Sequence, residues 1–212
     1  MTTKASFIWD LDGTLFDSYP AIVPSAREIC AEAGANYEES YVRNFVLRTS
    51  VNDLLRRVAE EKQLAFEPLK AAFTARSDSR WASIQAIPHA RETLAALRAA
   101  GCRSFVYTHR GASSFAILEN TGLAPYLDEV LTSESGFPRK PDPAAILYLL
   151  DKYALDPAET YYVGDRRLDM EAAQGAGIGG ILFREPGNPT QPLGTERFVI
   201  ADLREILQLF SL

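Results

Sequence analysis

The chain has 212 residues, 47% of them hydrophobic, and a formal net charge of −6 at pH 7. That composition supports a substantial buried core and excludes a disordered polymer. An acidic balance with no long basic block argues against nucleic acid and anionic membrane as partners.

Cys30 and Cys102 are the only cysteines, with neither metal-ligand spacing nor a disulfide framework, which suits a reducing cytosol. The first residues carry one lysine and an apolar run cut at Asp10, too short for a signal peptide. No run approaches the roughly 18 apolar residues of a membrane span, so a cytoplasmic location is expected. Nothing points to an obligate protein partner.

In chain order, Phe7, Ile8 and Trp9 form a short apolar run that predicts a buried strand ending at Asp10. Asp12 follows two residues later, and Gly13-Thr14 supplies a turn. Leu15 to Ser18 reads as a connector into helices, with Pro20 suiting a helix start and Pro24 able to delay it. Further helices are expected over 38–47, from Ser50 as N-cap, and over 68–82. Residues 16–84 thus read as helical throughout, an insert between the first strand and the rest.

The remainder alternates. A helix is expected from Ile87-Pro88 to Gly101, then a strand over Ser104–Thr108 and a helix over Ser113–Thr121. A strand over Glu129–Thr132 precedes a helix over Ala144–Tyr153, with Asp142 as N-cap and Pro143 at its first position. A strand over Tyr161–Gly164, a helix over Leu168–Gly175 and two late strands at 181–183 and 198–200 follow. Asp202 is expected to cap a last helix. Strands separated by helices of this length predict a parallel sheet covered on both faces.

Four stretches carry chemistry. Asp10 and Asp12 lie two apart on extended chain, so their carboxylates project together from a strand's C-terminal end. Thr108, followed by His109-Arg110-Gly111, offers a hydroxyl and backbone N–H groups at a helix approach, a natural phosphate grip. Lys140 is held in a loop stiffened by Pro138, Pro141 and Pro143. Asp165 directly follows a strand, and Asp169, four residues on, is expected to share its helical face. Such hard oxygen ligands select Mg2+ over zinc. His89 reads as structural.

Asp10-Leu11-Asp12-Gly13-Thr14, Thr108, Lys140-Pro141 and Gly164-Asp165-Arg166-Arg167-Leu168-Asp169 resemble, in order and spacing, the four motifs of the haloacid dehalogenase superfamily. The resemblance spans the whole chain and implies an α/β fold. Its Rossmann-like core would be residues 1–15 and 85–212, with a helical cap, 16–84, inserted after the first strand. His109 stands where the family usually has Asn.

The resemblance also implies a Mg2+-dependent phosphatase acting on a small phosphorylated metabolite such as phosphoglycolate. Asp10 would be the nucleophile and Asp12 the general acid and base. Mg2+ would be held by Asp10, Asp165 and the Asp12 backbone carbonyl, with Asp169 in support. Thr108, His109 and Lys140 would contact the phosphoryl group. Arg48, in a break between cap helices, would read the leaving group. A carboxylate attacking an anionic phosphoryl group meets about 4 kcal/mol of repulsion per charge pair at ~4 Å and an effective dielectric of ~20. Both the cation and the lysine answer that cost. The alternatives are a phosphosugar mutase of the same superfamily, or a non-catalytic phosphometabolite-binding regulatory protein. A dehalogenase is disfavoured because it needs no second aspartate.

Overall fold

The computed structural model describes residues 4–212. The chain divides into two compact units, Met1–Asp17 with Gln85–Leu212, and Ser18–Ile84.

In the first unit, strand β1 (Ser6–Trp9) ends just before Asp10, as its apolar run predicts. A short strand β2 (Phe16–Asp17) follows, and in the second unit come helices α1 (Tyr19–Glu32), α2 (Glu39–Arg48), α3 (Val51–Lys62) and α4 (Phe66–Ser79). Back in the first unit lie β3 (Gln85–Ala86), α5 (Ala90–Ala99), β4 (Arg103–Tyr107), α6 (Ser113–Asn120) and β5 (Glu129–Leu131). The chain closes with α7 (Ala144–Lys152), β6 (Thr160–Gly164), α8 (Arg167–Gly175), β7 (Gly179–Phe183), β8 (Phe198–Ile200) and α9 (Glu205–Leu209).

Six strands form one parallel sheet in the order β5-β4-β1-β6-β7-β8. β1 lies in the middle, with Trp9 opposite Val106 of β4 and Val163 of β6. From β1 the chain builds outward through β4 and β5, then returns to build the other way through β6, β7 and β8. That reversal beside β1 is where an open α/β sheet leaves a crevice at its carboxyl ends.

Strand parity decides the two buried faces. Ile8, Phe105, Tyr107 and Tyr162 pack with Ile146 and Leu149 of α7 and Met170 and Ala173 of α8. Phe7 and Tyr161 point the other way, with ring centroids 5.1 and 4.7 Å from Phe210 just past α9. Phe7, Ile8 and Trp9 are wholly buried, each stabilising the fold by about 1.5–3 kcal/mol. The strand that presents Asp10 is therefore firmly anchored.

Several boundaries differ from the sequence reading. Phe16 and Asp17 are not the start of a helical block: they pair antiparallel with Gln85 and Ala86. A two-residue strand has no periodicity to read, and this ribbon lies at both junctions with the inserted unit. α1 begins at Tyr19 and carries Pro24 inside it, at the loss of a single backbone bond. α5 starts at Ala90, because His89 adopts a left-handed conformation with φ 66° before the helix begins. Asp142 lies one residue before the N-cap Pro143, yet its Oδ1 still accepts from the Ala144 N–H at 2.9 Å.

In the second unit, Ile22, Ala26 and Ile29 of α1 form a core with Val42 and Val46 of α2 and Leu54, Leu55 and Val58 of α3. Ser50 caps α3, its hydroxyl accepting from the Asp53 N–H at 3.1 Å.

Candidate active site

Asp10, Thr108 and Asp165 each stand immediately after the C-terminal residue of a neighbouring strand, β1, β4 and β6. The Asp10 N–H donates to the Val163 carbonyl at 2.9 Å, and the Thr108 N–H to that of Leu131 at 2.9 Å. Sheet hydrogen bonding thus continues one residue past β1 and β4 and fixes where the Asp10 and Thr108 side chains leave the backbone. Gly13, with φ 79°, turns the chain directly after Asp12.

Lys140 enters from the loop after β5. Its ammonium lies 3.0 Å from Asp10 Oδ1 and 2.7 Å from Asp169 Oδ1, with all three side chains 0–1% exposed. It also donates to the Tyr162 hydroxyl at 3.0 Å, and that hydroxyl donates to the Tyr107 carbonyl at 2.6 Å. The rings of Tyr107 and Tyr162 each lie 5.4 Å from the ammonium. Burial and the charges of Asp10 and Asp169 push the Tyr162 phenol well above its ordinary value, so the hydroxyl keeps its proton.

Burial would raise Asp10, but Lys140 and then Arg166 outweigh it and hold the carboxyl below its usual value. Arg166 reaches Asp10 Oδ2 at 3.5 Å. Asp169 is pushed up by burial, against the pull of Lys140, with Asp10 adding repulsion.

Asp165 and Asp169 do not share a helical face as expected. Asp165 precedes α8, Arg166 is its N-cap, and Asp169 folds back so that Oδ2 accepts the Arg166 N–H at 3.0 Å. The capping turn brings the two carboxylates together. Gly164 allows this approach, since a Cβ there would stand 2.5 Å from the Asp169 side chain.

One carboxylate oxygen from each of Asp10, Asp165 and Asp169 lies within 4.8 Å of the others. Three buried carboxylates face the cations of Lys140 and Arg166, which leaves negative charge uncompensated. Hard oxygen donors with that excess fit Mg2+. Asp169 accepts from Lys140 and the Arg166 N–H with its two oxygens, and Asp10 faces Lys140 at 3.0 Å and Arg166 at 3.5 Å.

The Asp12 carboxylate is not one of these three. Arg110 forks onto it, Nη2 at 2.7 Å and Nε at 3.0 Å from Oδ1, with Nε 3.2 Å from Oδ2. Thr108 Oγ1 accepts the Arg110 N–H at 3.1 Å and keeps its own proton to donate. Some backbone donors expected to grip phosphate are spent within the protein, including this one and the Ala112 N–H, which goes to Glu134 at 3.0 Å. His109 Nε2 accepts the Lys140 backbone N–H at 2.7 Å, tying the two loops together. Burial, then Lys140, lowers this imidazole to about 2, so it stays neutral. Arg48 is exposed, the last residue of α2 in the helical unit.

Arg110, Arg166, Tyr162 and Asn188, whose amide donates to the Asp165 carbonyl at 3.2 Å, were not singled out from the sequence. Tyr162 had one available signal: in a buried strand its hydroxyl needs a partner. The others come from loops whose reach no local spacing reveals.

Residues 7–183 match the family model for haloacid dehalogenase-like hydrolases. The chain is 34% identical over 203 residues to a plasmid-encoded phosphoglycolate phosphatase of Cupriavidus necator, covering 90% of this chain and 86% of that one. It is 29% identical over 216 residues to a phosphoglycolate phosphatase of Vibrio vulnificus, covering 95% and 93%. Among solved structures, a predicted phosphoglycolate phosphatase from Haemophilus somnus superposes with a TM-score of 0.83 at 25% identity, over 99% of each chain. With its motif aspartates and Lys140 gathered at the carboxyl ends of a parallel sheet, this chain belongs to the haloacid dehalogenase-like hydrolase family.

Proposed function

We propose that this chain is a Mg2+-dependent phosphatase of small phosphorylated metabolites, phosphoglycolate among them, working through an aspartyl-phosphate on Asp10. The observation that carries the reading is the buried Asp10 carboxylate, held 3.0 Å from the Lys140 ammonium beside Asp165 and Asp169. Relatives with 34% and 29% identity, both named phosphoglycolate phosphatases, support the substrate class.

In this reading an Asp10 oxygen attacks phosphorus, and the bond to the substrate's leaving oxygen breaks. Asp12 gives that oxygen a proton, then takes one from the water that hydrolyses the acyl phosphate. Lys140 screens the approach of the two anions, and its aromatic and carbonyl surroundings fix its direction. Thr108 donates its hydroxyl to a phosphoryl oxygen. Asp10, Asp165 and the Asp12 carbonyl would hold Mg2+, with Asp169 in support. Bound there, Mg2+ would neutralise charge on the phosphoryl oxygens.

The helical unit would then serve recognition, with Arg48 reading an anionic leaving group. Residues 16–84 contain none of the four motifs, which supports that division of labour. A cytoplasmic setting belongs to the same proposal, and the two buried, unpaired cysteines suit it.

The test is phosphate release from a panel of phosphorylated metabolites with Mg2+, alongside calorimetric titration of the metal-free protein with Mg2+. Release from phosphoglycolate and metal binding lost in Asp165→Asn support the reading. Phosphate retained on a rearranged product would indicate a mutase, and binding without turnover a regulatory protein.

A further inference from the structure

Arg110 belongs to none of the roles assigned above, yet it makes the most elaborate contact of any side chain to Asp12. Its guanidinium forks onto the carboxylate at 2.7, 3.0 and 3.2 Å, and Nη1 lies 3.4 Å from Ser113 Oγ. The Arg110 side chain is 6% exposed and that of Asp12 19%. The Arg110 backbone is fixed too, through its N–H to Thr108 Oγ1 at 3.1 Å. A planar fork anchored at both ends sets the direction of the carboxylate as well as its charge.

Asp12 is assigned two proton transfers, and both need its carboxylate aimed at the reacting oxygen. We infer that Arg110 is a positioning residue that aims the Asp12 carboxylate for these transfers, hydrolysis of the phosphorylated enzyme among them. In that step the water oxygen forms a bond to phosphorus and its proton passes to an Asp12 oxygen. The bond from phosphorus to the Asp10 oxygen breaks, its electron pair returns to the Asp10 carboxylate, and inorganic phosphate leaves. The proton on Asp12 then goes to the next leaving oxygen or to solvent.

The inference rests on the phosphatase reading and has a kinetic signature of its own. With p-nitrophenyl phosphate the leaving group departs without a proton, so kcat/KM reports phosphorylation of Asp10 and nothing later. A defect confined to the second step lowers kcat and KM by the same factor and leaves kcat/KM unchanged. The experiment measures both constants, and the initial burst of nitrophenolate, for the wild type, Arg110→Gln, Arg110→Lys and Asp12→Asn. Arg110→Gln is expected to lose about tenfold to a hundredfold in kcat and KM together, the scale of a misplaced catalytic group, and to show a burst. Arg110→Lys, which keeps the charge without the fork, should recover part of the loss. A fall in kcat/KM at unchanged KM, or an unchanged kcat, in both Arg110 variants would overturn the inference. If Asp12→Asn keeps full kcat, the assignment of Asp12 itself fails, and the role of Arg110 with it.

Discussion

The ammonium of Lys140 lies 3.0 Å from Oδ1 of Asp10, and neither side chain is more than 1% exposed. A cation buried against the proposed nucleophile does two jobs. It keeps the carboxylate ionised in a place where burial alone would protonate it, and it lowers the barrier to an anionic substrate.

Removing that cation should therefore cost stability as well as activity. Lys140→Met leaves Asp10 and Asp169 facing each other with Arg166, 3.5 Å from Asp10 Oδ2, as the remaining cation, a loss expected at about 3–5 kcal/mol near neutral pH. The folded variant would then have to bind a proton that the unfolded chain does not. Its deficit relative to wild type should shrink as pH falls towards ~5. Urea denaturation at both pH values checks this, and a deficit that stays constant or grows on acidification counts against the pairing.

His109 gives a pH dependence of the opposite kind. Its imidazole is lowered from its ordinary 6.5 to about 2, chiefly by burial. Above pH 6.5 both folded and unfolded chains carry it neutral, so its contribution to stability is complete there. Below that, the unfolded chain takes up a proton that the folded one refuses, and stability is lost by roughly 1.4 kcal/mol per pH unit. Replacing His109 with Asn should remove that component. Stability curves of the two proteins should diverge in slope below the ordinary histidine value, and parallel slopes would mean that His109 titrates freely.

The sequence made the architecture legible wherever a periodic signal was long enough to read. β1 and the sheet alternation were visible in runs of apolar residues, and helices α1 to α4 in their apolar spacing. The two-residue ribbon of Phe16–Asp17 with Gln85–Ala86 was not, because pairing between distant short segments leaves no local pattern. At the site, the residues immediately following strands could be read, since strand ends fix them. What could not be read was where long side chains go. Arg110 reaching Asp12, and Asp169 folding back on Arg166, depend on loop geometry that residue spacing does not encode. The expectation that Asp165 and Asp169 share a helix face failed for the same reason: the helix begins after Asp165.

Gly164 should not tolerate even a methyl group. An added Cβ would meet Asp169 at 2.5 Å, and Asp169 is itself held by Lys140 and the Arg166 N–H. Gly164→Ala is expected to destabilise by about 1–3 kcal/mol, as overpacking does, and to weaken Mg2+ binding by displacing Asp169. Calorimetry with Mg2+ on a variant shown to be folded decides the second point. Unchanged affinity would remove Asp169 from the metal's support.

Arg48 tests recognition separately from chemistry. If its guanidinium reads an anionic leaving group, Arg48→Ala should weaken kcat/KM for phosphoglycolate by about 1.5–3 kcal/mol, the scale of a charge-assisted hydrogen bond. A neutral aryl phosphate should be nearly unaffected. Equal losses on both substrates would assign Arg48 to the folding of the helical unit, and no loss on either would leave it a solvated surface residue.

The central claim is that Asp10 carries the phosphoryl group. Its most direct measurement is acid quenching of the enzyme during turnover of phosphoglycolate, followed by peptide mapping of the acyl phosphate by mass spectrometry. The account predicts phosphate on the peptide containing Asp10, localised to that residue, and none in Asp10→Asn. Phosphate on another side chain, or full turnover by Asp10→Asn, would contradict it.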